Sequence, residues 1–237
     1  MRAADRFWKH DVQGEPYRYI DSAIRDYHDW SLLYEDGRRE FTRIREKVKL
    51  PIGPGVDVYE IGCGAGRLTA HLGEHCGRVL GVDISEFYLD LARAHSRRQN
   101  VAFELVTEAG LPLNDAGHWD VVFSYQVMHY LPLSVFSHYV CDVSRLLRPG
   151  GRLIFQFDTR PITLTTRVSW MLRRVLYRLG IPEWRGVSNS PGLFRHVSAI
   201  AVLRRALTDA GLVVENIIDP VAADSWFLVR KPARIGE

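Results

Sequence analysis

The stretch Val58-Tyr-Glu-Ile-Gly-Cys-Gly-Ala-Gly-Arg-Leu68 constrains this chain more than any other. A short apolar run feeds three glycines and then helix-forming residues. Such a block is a strand that turns tightly into a helix N-terminus. Missing Cβ atoms let a ligand approach the backbone there, and free N–H groups face it. A dinucleotide fingerprint, G-x-G-x-x-G, needs its third glycine for close helix packing. Arg67 stands at that position, and the spacing is instead G-x-G-x-G at Gly62, Gly64 and Gly66. Glu60 precedes the loop. A carboxylate at the strand tip repels a pyrophosphate and receives an ammonium, so these residues favour a cationic, amino-acid-bearing ligand over NAD. Asp83 ends the next apolar run, 19 residues after Gly64. An acid there can accept hydrogen bonds from two ribose hydroxyls. The plain alternative is a strand-end turn and a helix cap, but that would not require strand, loop, helix, strand and acid to fall in register.

The rest of the chain continues the alternation. Strands are expected at 56–61, 79–82, 101–106, 119–124 and 153–157, and helices at 67–75, 86–97 with Ser85 as N-cap, and 133–147. Arg148-Pro-Gly-Gly151 reads as a turn. Ser198 is expected to cap a helix through Leu207 that Gly211 ends, followed by strands at 212–218 and 225–229. Strands separated by helices of this length predict an α/β fold, a parallel sheet with helices on both faces. Residues 1–50 read as a helical N-terminal cap, closed by the breaker cluster Pro51-Ile-Gly-Pro-Gly55. Residues 51–237 form the main domain. An insertion at about 158–197 interrupts the rhythm.

Composition bounds the reading. The 237 residues are 46% hydrophobic and 25% charged, enough for a large core without disulfide staples. Cys63, Cys76 and Cys141 have no metal-ligand spacing. The chain has no apolar run long enough to span a bilayer and its start lacks a signal-like apolar segment, so a cytoplasmic protein is the expectation. The net charge of +3 hides an asymmetry: residues 1–144 carry −5, residues 145–237 carry +8. Between 159 and 208 nine arginines face one acid, Glu183. Any functional reading has to account for that stretch.

At this point the chain resembles the class I S-adenosylmethionine-dependent methyltransferases of small-molecule type. The resemblance rests on Glu60-Ile-Gly-Cys-Gly-Ala-Gly66, Gly81-Val-Asp-Ile-Ser85, Leu111-Pro112, residues 119–132, Leu146-Leu-Arg-Pro-Gly-Gly151 and a late Ser198…Ala210-Gly-Leu212. It covers about 40–157 and 196–231. It implies a seven-stranded, mostly parallel sheet of order 3-2-1-4-5-7-6 with the last strand antiparallel, and S-adenosylmethionine as cofactor. It places the methionine portion on Glu60 and the Gly62, Cys63, Gly64, Gly66 loop. It puts the ribose on Asp83 and the adenine against Ile84. Ser124 and Gln126 would close the site beside the sulfonium. Where the family often has Asp after the third strand, this chain reads Val106-Thr-Glu-Ala-Gly110, which leaves Glu108 as a displaced candidate for the adenine contact.

The implied reaction is methyl transfer to a small or lipid-like acceptor, with oxygen the first choice of atom and nitrogen or carbon open. Alternatives are an RNA or protein methyltransferase that uses the arginine-rich insertion, and a cofactor-binding protein without transfer activity. No Asn/Asp-Pro-Pro-Tyr run follows the fourth strand, which argues against amino-methylating enzymes. No acidic triad supports a Mg²⁺ site, so no metal is expected. Nor is there an RNA-binding module or lysine-rich tract, so nucleic acid is not an expected partner. His129 and His196 are candidate bases, each with a structural alternative. Tyr17, Tyr27, Trp30, Tyr130 and Arg195 are candidates for acceptor contact, against ordinary packing. Along 164–179 the apolar residues Leu164, Val168, Met171, Leu172, Val175, Leu176 and Leu179 form one stripe. The simplest expectation is a lid helix that buries this stripe on the domain. The other is a basic amphipathic helix in peripheral contact with an anionic membrane.

Overall fold

The computed structural model describes residues 7–9, 30–107, 110–181, 183–184 and 187–233. Tyr17, Tyr27 and Glu108 lie outside the described residues, as does the side chain of Trp30.

After helix α1 (Trp30–Val48) come β1 (Asp57–Ile61), α2 (Thr69–His75), β2 (Arg78–Asp83), α3 (Glu86–His95), β3 (Val101–Leu105), β4 (Trp119–Ser124), α4 (Leu133–Leu146) and β5 (Leu147–Phe157). The insertion supplies α5 (Leu164–Arg178) and a two-residue hairpin, β6 (Glu183–Trp184) with β7 (Val187–Ser188). Helix α6 (Ile200–Asp209), β8 (Val213–Ile218) and β9 (Ser225–Arg230) complete it. The main sheet runs β3-β2-β1-β4-β5-β9-β8. With the hairpin strands left out of the count, this is the expected order 3-2-1-4-5-7-6, and β9 is antiparallel to both neighbours. Among the described residues, no helix is long and apolar enough to cross a membrane.

The central strands read as apolar runs because both faces of the sheet are covered. On one face α4 and α6 bury Phe136, Val140, Val143, Leu203 and Leu207 against Val122, Phe155 and Phe227. On the other, Phe41, Ile44 and Val48 of α1 pack with Leu72 of α2 over Val58, Phe123 and Trp226. Phe155 and Phe227 stack with ring centroids 5.0 Å apart, a pairing set by the β5–β9 register.

Four local expectations need correction or refinement. Arg148-Pro-Gly-Gly151 is no turn between elements: β5 already begins at Leu147 and carries these residues as a bulge between the Trp119 and Val121 pairings, with Gly150 at φ +79°. Ser198 does not cap α6. Its N–H donates to the Asp158 carbonyl, and Ala199 takes the cap position. Ser85 does hold the N-cap position of α3, but its side chain makes no cap hydrogen bond. Its own N–H donates to Asp83. Finally, α5 buries none of its residues: Leu164, Met171 and Leu179 are 76%, 62% and 70% exposed. Its apolar stripe faces outward.

Candidate active site

The sheet places its cleft where neighbouring strands leave in opposite directions, β1 toward β2 and β4 toward β5. The glycine loop crosses this point. Gly62 sits at φ +76°, and a Cβ there would fall 2.1 Å from a Val127 methyl carbon, so only glycine passes. The Val82 carbonyl accepts the N–H groups of Gly62 and Cys63 at 2.7 and 3.1 Å, tying the loop to the end of β2. From α1, the Tyr34 hydroxyl donates to the Ala65 carbonyl at 2.7 Å.

Asp83 accepts from the Gly64 N–H and the Ser85 N–H, both at 2.9 Å. One carboxylate thus fixes the loop and the start of α3, and each of its oxygens keeps a lone pair for a ligand. Burial raises its pKa, which these backbone donors oppose. Glu60 is fully buried. Burial lifts its pKa to about 7, while the Thr69 hydroxyl, donating at 2.6 Å, and the Arg67 charge pull the other way. Gln126, just past β4, is held at φ +56°, in the left-handed region.

These residues open into a cavity of 1170 Å³. Single-ligand pockets span roughly 300–1,000 Å³, so the space suits two ligands. Its loop end is lined by Glu60, Gly62, Cys63, Gly64, Asp83, Ile84 and Gln126. Its far end is lined by Tyr130, Arg195 and Trp8, an aromatic of the N-terminal segment, together with residues that the sequence did not single out for this purpose: Arg160, Thr166, Trp170 and Arg173. Thr166, Trp170 and Arg173 recur at helical spacing on the polar face of α5. That periodicity was present in the sequence, but nothing there said which face looked inward.

Gly66 and Ser124 do not line the cavity. Gly66 faces Ala92 and Phe103, and the Ser124 hydroxyl donates to the Ile61 carbonyl at 3.1 Å. His129 is fully buried outside the lining, its ring 4.5 Å from that of Tyr130. Among the described residues neither ring nitrogen has a hydrogen-bond partner, and burial with the Arg195 charge holds the imidazole well below its usual pKa. His196 is also outside the lining, with its pKa lowered by burial and Arg174. Tyr125 packs: it stacks on Trp226 and donates to Glu40 at 2.6 Å.

A loop closed to side chains, an acid poised on its far side and a buried acid before it are what an adenosine ligand bearing an amino acid requires. On this sheet, that combination has the layout of the class I methyltransferase fold. Comparison with known proteins agrees. Residues 59–155 match the family described as "Methyltransferase domain". A ubiquinone biosynthesis O-methyltransferase from Alkalilimnicola ehrlichii is 29% identical over 157 residues, 65% of this chain and 55% of that protein. One from Acinetobacter baylyi is 30% identical over 109 residues, 45% of each chain. The chain therefore spans only about half the length of these curated relatives. Among solved structures, an S-adenosylmethionine-dependent methyltransferase from Mesorhizobium loti superposes with TM-score 0.61 at 20% identity, covering 82% of this chain and 99% of that one. At that identity the likeness speaks for the fold. Residues 59–155 thus match a methyltransferase domain, and the fold is one that S-adenosylmethionine-dependent methyltransferases share.

The raised Glu60 pKa has a thermodynamic consequence. The unfolded carboxyl ionises near about 4.3, the folded one near 7. Between these values the folded state holds the extra proton, so stability is full below the lower value and is lost as pH rises through the window. Denaturant unfolding of the ligand-free protein at a series of pH values should show this decline, and Glu60→Gln should flatten it.

Proposed function

We propose that this protein transfers the methyl group of S-adenosylmethionine to a small, partly apolar acceptor, with oxygen the first choice of atom. The observation that carries the reading is the single cavity with two differently built ends under one helix. The relatives' printed activity, O-methylation in ubiquinone biosynthesis, supports oxygen.

In this reading Asp83 holds the ribose hydroxyls, Ile84 packs on the adenine, and Glu60 with the glycine loop receives the methionine portion. S-adenosylmethionine supplies an activated methyl group when bound. The chain's own contribution is positioning: aligning an acceptor atom with the methyl group removes much of the entropic barrier. Trp8, Tyr130 and Trp170 exclude water from the acceptor end. Trp8 is held there by its indole N–H, which donates to the Gly192 carbonyl at 3.2 Å. We give neither His129 nor His196 contact with the acceptor, because neither lines the cavity.

The outward stripe of α5 supports a second element of the proposal, peripheral contact with an anionic bilayer. Arg167, Arg174 and Arg178 accompany the stripe, and the described part of 159–181 contains no acid. A second copy of the chain would bring arginine against arginine. An anionic surface accepts both the apolar stripe and its charged flanks. We place the protein in a reducing compartment such as the cytoplasm, consistent with its free thiols.

Calorimetric titration should show saturable S-adenosylmethionine binding, weakened by roughly 1–3 kcal/mol in Asp83→Ala as hydrogen bonds in a partly buried site are lost. No binding after removal of carried-over product would end the reading. Incubation with methyl-labelled cofactor and a metabolite extract should label a small organic product rather than RNA or protein, and mass analysis would identify it. In flotation assays the protein should rise with vesicles containing phosphatidylglycerol but not with pure phosphatidylcholine. Met171→Glu with Leu179→Glu should abolish the association. If no vesicle binds, α5 serves as a cover alone.

A further inference from the structure

The cavity's charges are not evenly paired. At the loop end lie two carboxylates, Glu60 and Asp83, with the Arg67 charge acting on Glu60. At the α5 end, Arg160 is bound to Asp158, with its Nη2 2.6 Å from Oδ2. Arg195 pairs with Asp224 at 2.9 Å. Arg173 also lines the cavity, yet among the described residues no carboxylate accompanies it. Its Nε is enclosed and has no hydrogen-bond partner. Its guanidinium is nevertheless held in place: it lies 4.5 Å over the Phe194 ring, and its Nη2 donates to the Ser188 carbonyl.

Arg173 is half-buried, and desolvating even part of a cation without a counter-charge carries a cost that a ligand's anionic group would offset. Here the plane of the guanidinium is fixed by the ring and the carbonyl, so little entropy remains to be lost when a planar or tetrahedral oxyanion docks. Hydroxyls of Thr166 and Ser169 line the same face of α5. The neighbouring wall, Trp8, Tyr130, Leu131 and Val135, is largely apolar.

We propose that the acceptor is an amphiphilic anion whose carboxylate or phosphate docks on Arg173, with its apolar body against Trp8, Tyr130, Leu131 and Val135. This rests on the methyl-transfer reading for its biological meaning and on the cavity alone for its chemistry. Arg173 is a specificity residue, one that selects which molecule is held and in which direction it points. The cavity is then polarised to suit its two occupants: carboxylates where the cofactor's ammonium belongs, and an uncompensated guanidinium where the acceptor's head group belongs.

The test uses the full chain and three probes of one chain length: octanoate, octyl phosphate and octanol, titrated calorimetrically with and without S-adenosylhomocysteine. At least one anion should bind about tenfold or more tightly than octanol, the scale of a charge-assisted hydrogen bond in an enclosed site. The tighter anion identifies the head group. Arg173→Gln should abolish the preference and Arg173→Lys should retain part of it, both leaving S-adenosylhomocysteine affinity unchanged. The proposal is overturned if octanol binds as well as both anions, if no probe binds, or if Arg173→Gln keeps the preference. The wild-type comparison decides even if that variant is unstable. Absence of S-adenosylhomocysteine binding would count against the methyl-transfer reading, while the anion preference measured without it would stand or fall separately.

Discussion

The near-contact of Gly62 with Val127 governs the rest of the structure. It marks the point where β1 and β4, adjacent and parallel, send the chain to opposite sides. A crevice has to open there, and its floor is as deep as the backbone is bare. With no Cβ at Gly62, the loop drops onto the Val127 side chain, and the Val82 carbonyl can collect two of its N–H groups. Asp83 then closes the arrangement from β2, binding the loop and the start of α3 with one carboxylate. The hydrogen bonds that shape the loop are thus supplied by the chain itself.

The acids near this loop are held at an energetic cost. Glu60 is buried and Asp83 is desolvated, and a chain selected for stability alone would bury apolar groups in their place. The same logic applies at the other end of the cavity, where Phe194 and the Ser188 carbonyl hold a guanidinium that no acid among the described residues pairs with. Interaction energy withheld from folding is available to ligands of opposite charge. In a low-dielectric cavity such charges also orient what they bind, which is the kind of positioning a transfer between two bound molecules needs.

Helix α5 shows how position inverts a periodic pattern. Its apolar residues are spaced as a buried face would be, yet it turns Thr166, Trp170 and Arg173 inward and leaves Leu164, Met171 and Leu179 exposed. The insertion that carries it leaves the sheet and returns at the Asp158–Val197 bridge. That anchor sets the helix over the cavity mouth, where a polar lining faces inward and the remaining face is left to solvent or a surface.

Much of the protein was legible in its sequence. The order of strands and helices, the strand-to-helix glycine loop and the acid on β2 are fixed by local chemistry: hydrophobic period, the conformational freedom of glycine, and spacing along one βαβ unit. Those rules act over a few residues, so they survive without knowledge of the fold. What spans distant segments did not. Ser85 takes the N-cap position of α3 without a side-chain cap hydrogen bond, while Ala199, not Ser198, takes that of α6, and the Ser198 N–H is engaged by the distant Asp158 carbonyl. Trp8 and Tyr130 meet with ring centroids 5.6 Å apart across more than a hundred residues of chain, and His129, adjacent in sequence to a lining residue, does not line the cavity. The sequence by itself determined the architecture and the glycine loop. Only the tertiary structure decided which face of α5 is inside and which arginine lacks a counter-ion, because burial and charge pairing depend on every segment that comes near, and spacing records none of that.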